Sequence, residues 1–466
     1  MQKKMLWTLM SLVVALSMVL AACASPATPA APAATEAPAQ PAAPAGMPQM
    51  DFSKVGQELA DAMTGAYKGK VVSMAGPFTD NDEVVFNESI KRFETATGID
   101  IQYEGSKEFE ASITIRVEGG SAPDIVDFPQ PGLLNKFVQT GKALEVTKII
   151  KPEWLAENYK QSWLDMATFN APGGKGQYGI WARTNGKSLV WYPKKDFDAA
   201  GYKVPESWDD LLKLTDQIAA DGDTPWCIGI ESGAATGWAM TDWIEDAMLR
   251  TTTPENYDKW VSGELKFDSP EVRKAIDLVT NIWFNDKYVY GGRASIPTTF
   301  FGDAPKPMFE KPPKCWMHRQ GNFITTFFPE GLQAGVDYDF FYLPAVDPAA
   351  GKPVLVAGDI YAMFNDRPEV RAVFQYFSMG DSLKDWIAAG GAIAPYNDAP
   401  LEWYSNEVNR KIAEMIANAS VLRFDASDIM PAAVGTGSFW KEMTALVSGS
   451  EDLDTVLKNI DASFTK

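Results

Sequence analysis

Between Val71 and Phe128 short apolar runs alternate with amphipathic stretches, and this alternation limits the chain to a narrow set of folds. Val71-Val72-Ser73-Met74 is a short apolar run closed by Gly76 and Pro77. Asp80 to Glu83 then reads as a D-x-x-E capping box that opens a helix. Phe86, Ile90, Phe93 and Ala96 form its apolar stripe, and Gly98 ends it. Ile99 to Tyr103 alternates as a second strand, and Asp124 to Phe128 reads as a third. The order β-α-β-α-β implies parallel strands. Ligands of open parallel sheets bind beyond the carboxyl ends of the strands. Those ends are the loops Gly76 to Asp80, Gly105 to Glu110 and Asp127 to Pro131, which makes Phe78, Ser106, Phe109, Glu110, Asp127 and Gln130 candidate ligand contacts. Ser207 is expected to cap a helix over Trp208 to Ala220, Ser269 and Pro270 to open another, and Pro368 a third.

The remaining composition excludes several classes of function. A chain of 466 residues with 46% hydrophobic and 22% charged residues has material for two domains and is not disordered. Its formal charge of -19 argues against nucleic acid, which needs an excess of Lys and Arg. One histidine and three cysteines without a CxxC pair predict no metal site and no cofactor. The aspartates at Asp80 to Asp82, Asp196 to Asp198 and Asp221 to Asp223 do not complete a calcium loop and are expected in surface loops and caps.

The amino terminus predicts a location. Lys3 and Lys4 precede a mostly apolar segment, Leu6 to Ala22, with the layout of an export signal. It ends in Leu20-Ala21-Ala22-Cys23, which resembles the bacterial lipobox. Residues 1–22 are therefore expected to be a removed signal peptide and Cys23 the lipid-modified new amino terminus; the alternative is a short membrane-spanning anchor. From Ala24 to Gln49 the chain is 11 Ala and 7 Pro in 26 residues, an extended spacer. Residues 23–68 are read as a lipid-anchored linker and lead-in. The expected product is tethered to the membrane by Cys23, extracytoplasmic and monomeric.

Four segments carry a family resemblance: TGIDIQYEGSKEFEASITIRVEGGSAPDIVDF from Thr97, SLVWYPKKDFDAAGYKVPESWDDLLKL from Ser188, Lys352 to Phe377, and GGAIAPYND from Gly390. Together they resemble the extracellular solute-binding proteins that feed sugars to ABC importers, of the maltose-binding-protein type. PWCIGIESGAATGWAMTDWIEDAMLR from Pro225 and PPKCWMHRQGNFITTFF from Pro312, with the loop GSKEFE and the FPQPG from Phe128, are similar to the α-glucoside-binding branch. The resemblance implies an α/β, two-lobed periplasmic-binding-protein-like fold with hinge strands and a sugar in the interlobe cleft. It implies a first lobe over 69–185 and 336–378, a second over 186–335 and 379–466, a crossing near Arg183 to Lys187, and permease subunits as partners. GTGSFWKEMTALV from Gly435 resembles the maltose-binding-protein segment whose tryptophan packs on the sugar, which casts Trp440 as a stacking platform.

Saccharide chemistry asks for carboxylates or amides around the ring edge and aromatic rings on its C–H face. Candidates near strand ends are Asp127 with Gln130; Glu231, Thr236 and Trp238 in a Gly/Ala-rich loop; Trp316, His318 and Arg319 after a double proline; and Asp359. Blander roles compete. Trp208, Trp260 and Trp283 lie on helix stripes and read as core. Asp359 and Arg319 could form an ion pair between lobes, Glu110 could be a solvated helix charge, and His318 reads as a hydrogen-bonding residue. A binding protein for an oligosaccharide or polyol, or a lipid-anchored glycosidase, are the alternative functions. With Cys23 lipidated, Cys227 and Cys315 remain in an oxidising compartment, each beside a tryptophan, and are expected to form a disulfide.

Overall fold

A computed structural model describes residues 43–464; the expected signal peptide, Cys23 and most of the Ala/Pro-rich segment lie outside the described residues. The three expected strands form as Val71–Gly76, Asp100–Gly105 and Ile125–Phe128, the first paired in parallel with both others. The intervening helix Asp80–Thr97 ends at Gly98, whose φ of 73° is left-handed and suits glycine. The capping box does not form. Thr79 is the N-cap without a side-chain bond, and Asp82, expected in a surface cap, is only 5% exposed. It turns inward because a buried cation, Arg183, competes for its carboxylate. The other helix starts are as expected: Ser207 accepts from Asp210 N, Ser269 accepts from Val272 N, and Pro368 opens Pro368–Phe377.

The parallel strands belong to a six-stranded sheet in which Pro353–Met363 lies beside Ile125–Phe128, Val421–Phe424 and Ile180–Gly186. A three-stranded antiparallel sheet consists of His318–Arg319, Leu189–Tyr192 and Asp339–Tyr342. Only Lys187 and Ser188 separate Ile180–Gly186 from Leu189–Tyr192, so the chain passes between the sheets there. Pro353–Met363 is the return. Its start pairs with Val421–Phe424, its end with Ile125–Phe128, and Ile180–Gly186 runs antiparallel along its middle. A third passage falls at Asp425, between Val421–Phe424 and the short helix Ala426–Ile429.

The buried apolar side chains form two clusters. Phe86, Phe93, Val126, Ile360 and Phe374 pack in the first, and Trp208, Trp260, Trp283, Ile276 and Met443 in the second, so the three helix-stripe tryptophans are core residues. The clusters meet at the crossings, where Leu189 and Trp191 of the antiparallel sheet belong to the first and Leu355 of Pro353–Met363 to the second. Chain order does not decide membership. Met379, Trp386, Tyr396 and Ile412 follow residue 378 yet join the first core, while Phe341 and Leu343 follow residue 336 yet join the second. The lead-in is also structural: Met47, Phe52, Val55 and Leu59 are buried in the first core.

Cys227 and Cys315 form a disulfide with a Cα–Cα distance of 5.5 Å across a separation of 88 residues. Loop-closure entropy sets an upper contribution of about 4 to 5 kcal/mol for a cross-link of this span. Replacing both cysteines by serine should lower unfolding free energy by up to that amount in urea titrations. Two titratable thiols from Cys227 and Cys315 in denatured, unreduced protein would contradict the bond.

Candidate functional site

A cavity of about 140 Å³ opens where the carboxyl ends of the parallel strands meet the crossing strands and the second lobe. That is roughly ten times the smallest volume able to hold one water. All three expected loops reach it, through Pro77, Phe78 and Thr79, through Ser106, Lys107 and Glu110, and through Pro129 and Gln130. The crossing strands add Arg183, Asn185, Lys187, Ala357, Gly358 and Asp359; the second lobe adds Ser232, Ala235, Trp238, Phe301, Phe323, Phe327, Asp428 and Trp440, and the helix Asp80–Thr97 adds Asp82.

Arg183 organises the polar floor. Its Nη1 and Nη2 donate to the two oxygens of Asp82 at 3.3 and 3.0 Å, and its Nε donates to Asp359. The guanidinium packs into the corner where Phe78 and Trp386 meet edge-on, each ring centroid 4.4 Å away. Behind it Asp127 is fully buried, with Oδ1 unpartnered and Oδ2 accepting weakly from Tyr103 OH at 3.4 Å. Burial, reinforced by the Asp359 charge, pushes its carboxyl well above the usual range, so it is held neutral. Gly76 is required beneath this site, because a Cβ there would lie 2.3 Å from Tyr103 OH and 2.8 Å from Asp127.

A second cluster surrounds Lys187, whose Nζ lies 2.9 Å from Asp242 and 2.6 Å from Asp425. Asp242, Glu245 and Asp425 bring carboxylate oxygens within 4.8 Å of one another, the spacing of a cation site. The Lys187 ammonium already supplies that positive charge. Burial pushes Asp242 up to about 8 and Glu245 well above its usual value. Against the same desolvation, Lys187 and hydrogen bonds from Asp242 and Glu245 hold Asp425 ionised. Asp428 is raised by burial and by the Asp425 charge. Burial thus favours the protonated forms of the surplus acids, which reduces the negative charge of the floor.

The opposite wall is aromatic, and above it the two lobes touch. Ala234 N donates to Lys107 O at 3.3 Å, and Asn81 Nδ2 to Thr326 O at 2.7 Å. Gly233, at φ +54°, permits this approach, since a Cβ there would lie 2.5 Å from Lys107 O.

Of the expected contacts, Phe78, Ser106, Glu110, Gln130, Trp238, Asp359 and Trp440 line the cavity. Trp440 does so while only 2% exposed, its Nε1 donating to Ser427 Oγ at 3.0 Å. The preceding Gly435 to Phe439 stretch is π-helix rather than loop. Asp359 is ion-paired, though to Arg183 rather than to Arg319. The other candidates lie elsewhere. Phe109 packs edge-on to Phe128 in the first core, and Asp127 is behind the floor. Glu231 accepts from Gly233 N, and Thr236 from Ser232 N, so both shape the loop. Trp316 packs on Tyr202; Arg319 is buried against Asp242 and Asp246. His318 Nδ1 bonds Cys227 O at 2.8 Å, with burial lowering the imidazole to about 4. Sequence reasoning missed Asp82, Arg183, Lys187, Asp428 and the phenylalanine wall. The doublets Phe300-Phe301 and Phe327-Phe328 were the available signal for the wall.

The sequence profile of bacterial extracellular solute-binding proteins matches residues 79–382. This chain belongs to that family. It is 42% identical over 85% of its length to the osmoprotective compounds-binding protein GgtB of Synechocystis sp., covering 93% of that protein. It is 40% identical over 83% of its length to the alpha-glucosides-binding periplasmic protein AglE of Rhizobium meliloti, covering 85% of it. A maltose-bound MalE3 of T. maritima shares the fold at TM-score 0.65 and 15% identity, over 85% of this chain and 99% of that one. A chitin oligosaccharide binding protein does so at TM-score 0.72 and 15% identity, over 85% and 98%. The fold is thus the two-lobed α/β architecture expected, and the protein is a solute-binding component of an ABC importer. Among the described residues no helix is long and apolar enough to cross a membrane.

Two measurements test the electrostatics of this family member's site. Arg183→Met strands Asp82 and Asp359, and should cost about 3 to 5 kcal/mol of stability in denaturant titrations; a loss below 1 kcal/mol would refute the floor as described. Burial pushes the Glu110 carboxyl up to about 7 from an ordinary 4.5, against a hydrogen bond from Gln130. The folded state then binds this proton more tightly than the unfolded chain, so its contribution declines as pH rises from 4.5 to 7. Wild type should lose stability relative to Glu110→Gln between pH 5 and pH 8, and parallel profiles would contradict the shift.

Proposed function

We propose that the cavity captures a neutral α-glucoside and that the importer's permease receives it from the closed lobes. The observation that carries this reading is a hydrogen-bonding floor facing an aromatic wall, in a chain 40% identical to an alpha-glucosides-binding protein. Hydroxyls can exchange water for Asp82, Asp359, Glu110, Gln130, Asn185 and Ser106, while the ring's C–H face meets Trp238, the partly exposed tryptophan of the wall. No step of bond cleavage is needed, so the protein is read as a non-enzyme. The lobes divide at the three passages through Lys187, Pro353 and Asp425, a refinement of the 69–185/336–378 and 186–335/379–466 division. Cys23 carries the lipid that holds a monomer outside the cytoplasm.

The 42% identity to a protein binding osmoprotective compounds favours a second reading, a small uncharged polyol or its glucoside. A thermal-shift screen of maltose, trehalose, sucrose, isomaltose and a glucosylated polyol separates the two. At least one α-linked glucoside should raise the melting temperature with micromolar or tighter affinity, and a chromogenic α-glucoside should release no product. Flat curves across the glucosides would sink the first reading; stabilisation by the polyol derivative alone would select the second.

A further inference from the structure

The wall opposite the polar floor has a shape that a flat sugar ring does not fill. Trp238, Phe301, Phe323 and Phe327 all line the cavity and are all partly exposed. Their rings touch in a chain, with centroids 5.1 Å apart for Trp238–Phe301, 5.9 Å for Trp238–Phe323 and 5.2 Å for Phe301–Phe327. They are steeply inclined, by 71°, 49° and 64° in the same order. Rings set at such angles form a cup rather than a ledge.

A cup surrounds the edge of whatever enters it. The edge of a pyranose is where its hydroxyls are, and the three phenylalanine side chains offer no donor or acceptor. A hydroxyl placed there gives up its water without a replacement, whereas a methylene or aryl group gains by leaving water. Two cations border the cup and both are engaged: Lys187, whose Nζ lies 5.0 Å over the Trp238 ring, pairs with Asp242 and Asp425, and Lys107 has its Nζ 3.2 Å from Asp80 and 4.0 Å over Phe300. Floor and cup share one continuous cavity, so a single ligand spans both.

We infer that the phenylalanine cup is an aglycone subsite, which takes an alkyl or aryl group attached to the anomeric oxygen of a glucoside whose sugar ring rests on the polar floor. This rests on the α-glucoside reading of the cavity. Its test is isothermal titration of the full chain with methyl α-D-glucopyranoside, phenyl α-D-glucopyranoside and maltose, against wild type, Phe327→Ser and Phe327→Leu. The phenyl glucoside should bind at least about tenfold more tightly than the methyl glucoside to wild type. Phe327→Ser should abolish that advantage, read as the ratio of phenyl to methyl glucoside affinity within the variant, and Phe327→Leu should retain most of it. Equal affinities for methyl and phenyl glucosides, or an advantage that survives Phe327→Ser, would overturn the subsite. So would a maltose advantage over the methyl glucoside that matches the phenyl advantage and disappears with it, because the cup would then be a sugar platform. Binding of none of the three glucosides would remove the α-glucoside reading and this inference together, whereas methyl glucoside binding without a phenyl gain removes this inference alone.

Discussion

Two cations four residues apart on one crossing segment hold the site together. Arg183 joins Asp82, on the helix Asp80–Thr97 of the first lobe, to Asp359 on the returning strand. Lys187 joins Asp242, on a second-lobe helix, to Asp425 at the third passage. Each passage of the chain between lobes is thereby tied to another by a buried charge. Burying an ion costs several kcal/mol unless its partners are close and well aligned, so these residues admit few alternative arrangements. The cavity floor inherits that precision: its polar atoms are positioned before a ligand arrives, and binding need not order them.

The same pairs set what the floor can accept. Arginine and lysine in a sugar cleft would attract anions if left free, yet here each faces two carboxylates. Carboxylates in excess would repel one another, and burial answers this by raising Asp127, Asp428 and Glu245, which favours their protonated forms. The proposed uncharged ligand is consistent with this balance and does not require a repulsive group aimed at charged competitors.

The first lobe was legible because its signals are local. A strand period, a helix stripe and a terminating glycine occur within a few residues of one another; in the second lobe the Ser207 and Ser269 caps are local in the same way, acting over three. The disulfide was legible for another reason: the predicted export leaves two cysteines in an oxidising compartment. The floor was not legible. Arg183 finds Asp82 at a separation of 101 residues and Asp359 at 176, while Lys187 finds Asp242 at 55 and Asp425 at 238. Nothing beside Asp82 distinguishes an inward carboxylate from a helix cap, so local capping logic assigned it to the surface. Trp316, His318 and Arg319 show the reverse error. Their residue types suit a sugar site, but Trp316 packs in the second core, and the pairing of His318–Arg319 with Leu189–Tyr192 leaves His318 on Cys227 O and Arg319 on Asp246.

The joints and the lips of the cavity are stabilised in different ways, and this difference gives the protein its response. The crossings are fixed by buried ion pairs, which persist because separating them would strand charges out of water. At the lips the direct contacts are peripheral: Ala234 to Lys107, Asn81 to Thr326, the Lys107 ammonium 4.0 Å over the Phe300 ring, and the close approach at Gly233. Hydrogen bonds of that kind contribute about 1 kcal/mol each and exchange readily with water. Lobes joined firmly at the crossings but weakly at the mouth can separate by rotating about the former. A ligand that touches floor and wall together adds interactions only when the lips meet, and only such a differential can shift the equilibrium toward closure. A solute that contacts the floor alone gains nothing from closing, so an importer that reads the closed form would distinguish a spanning ligand from one that merely occupies the cleft.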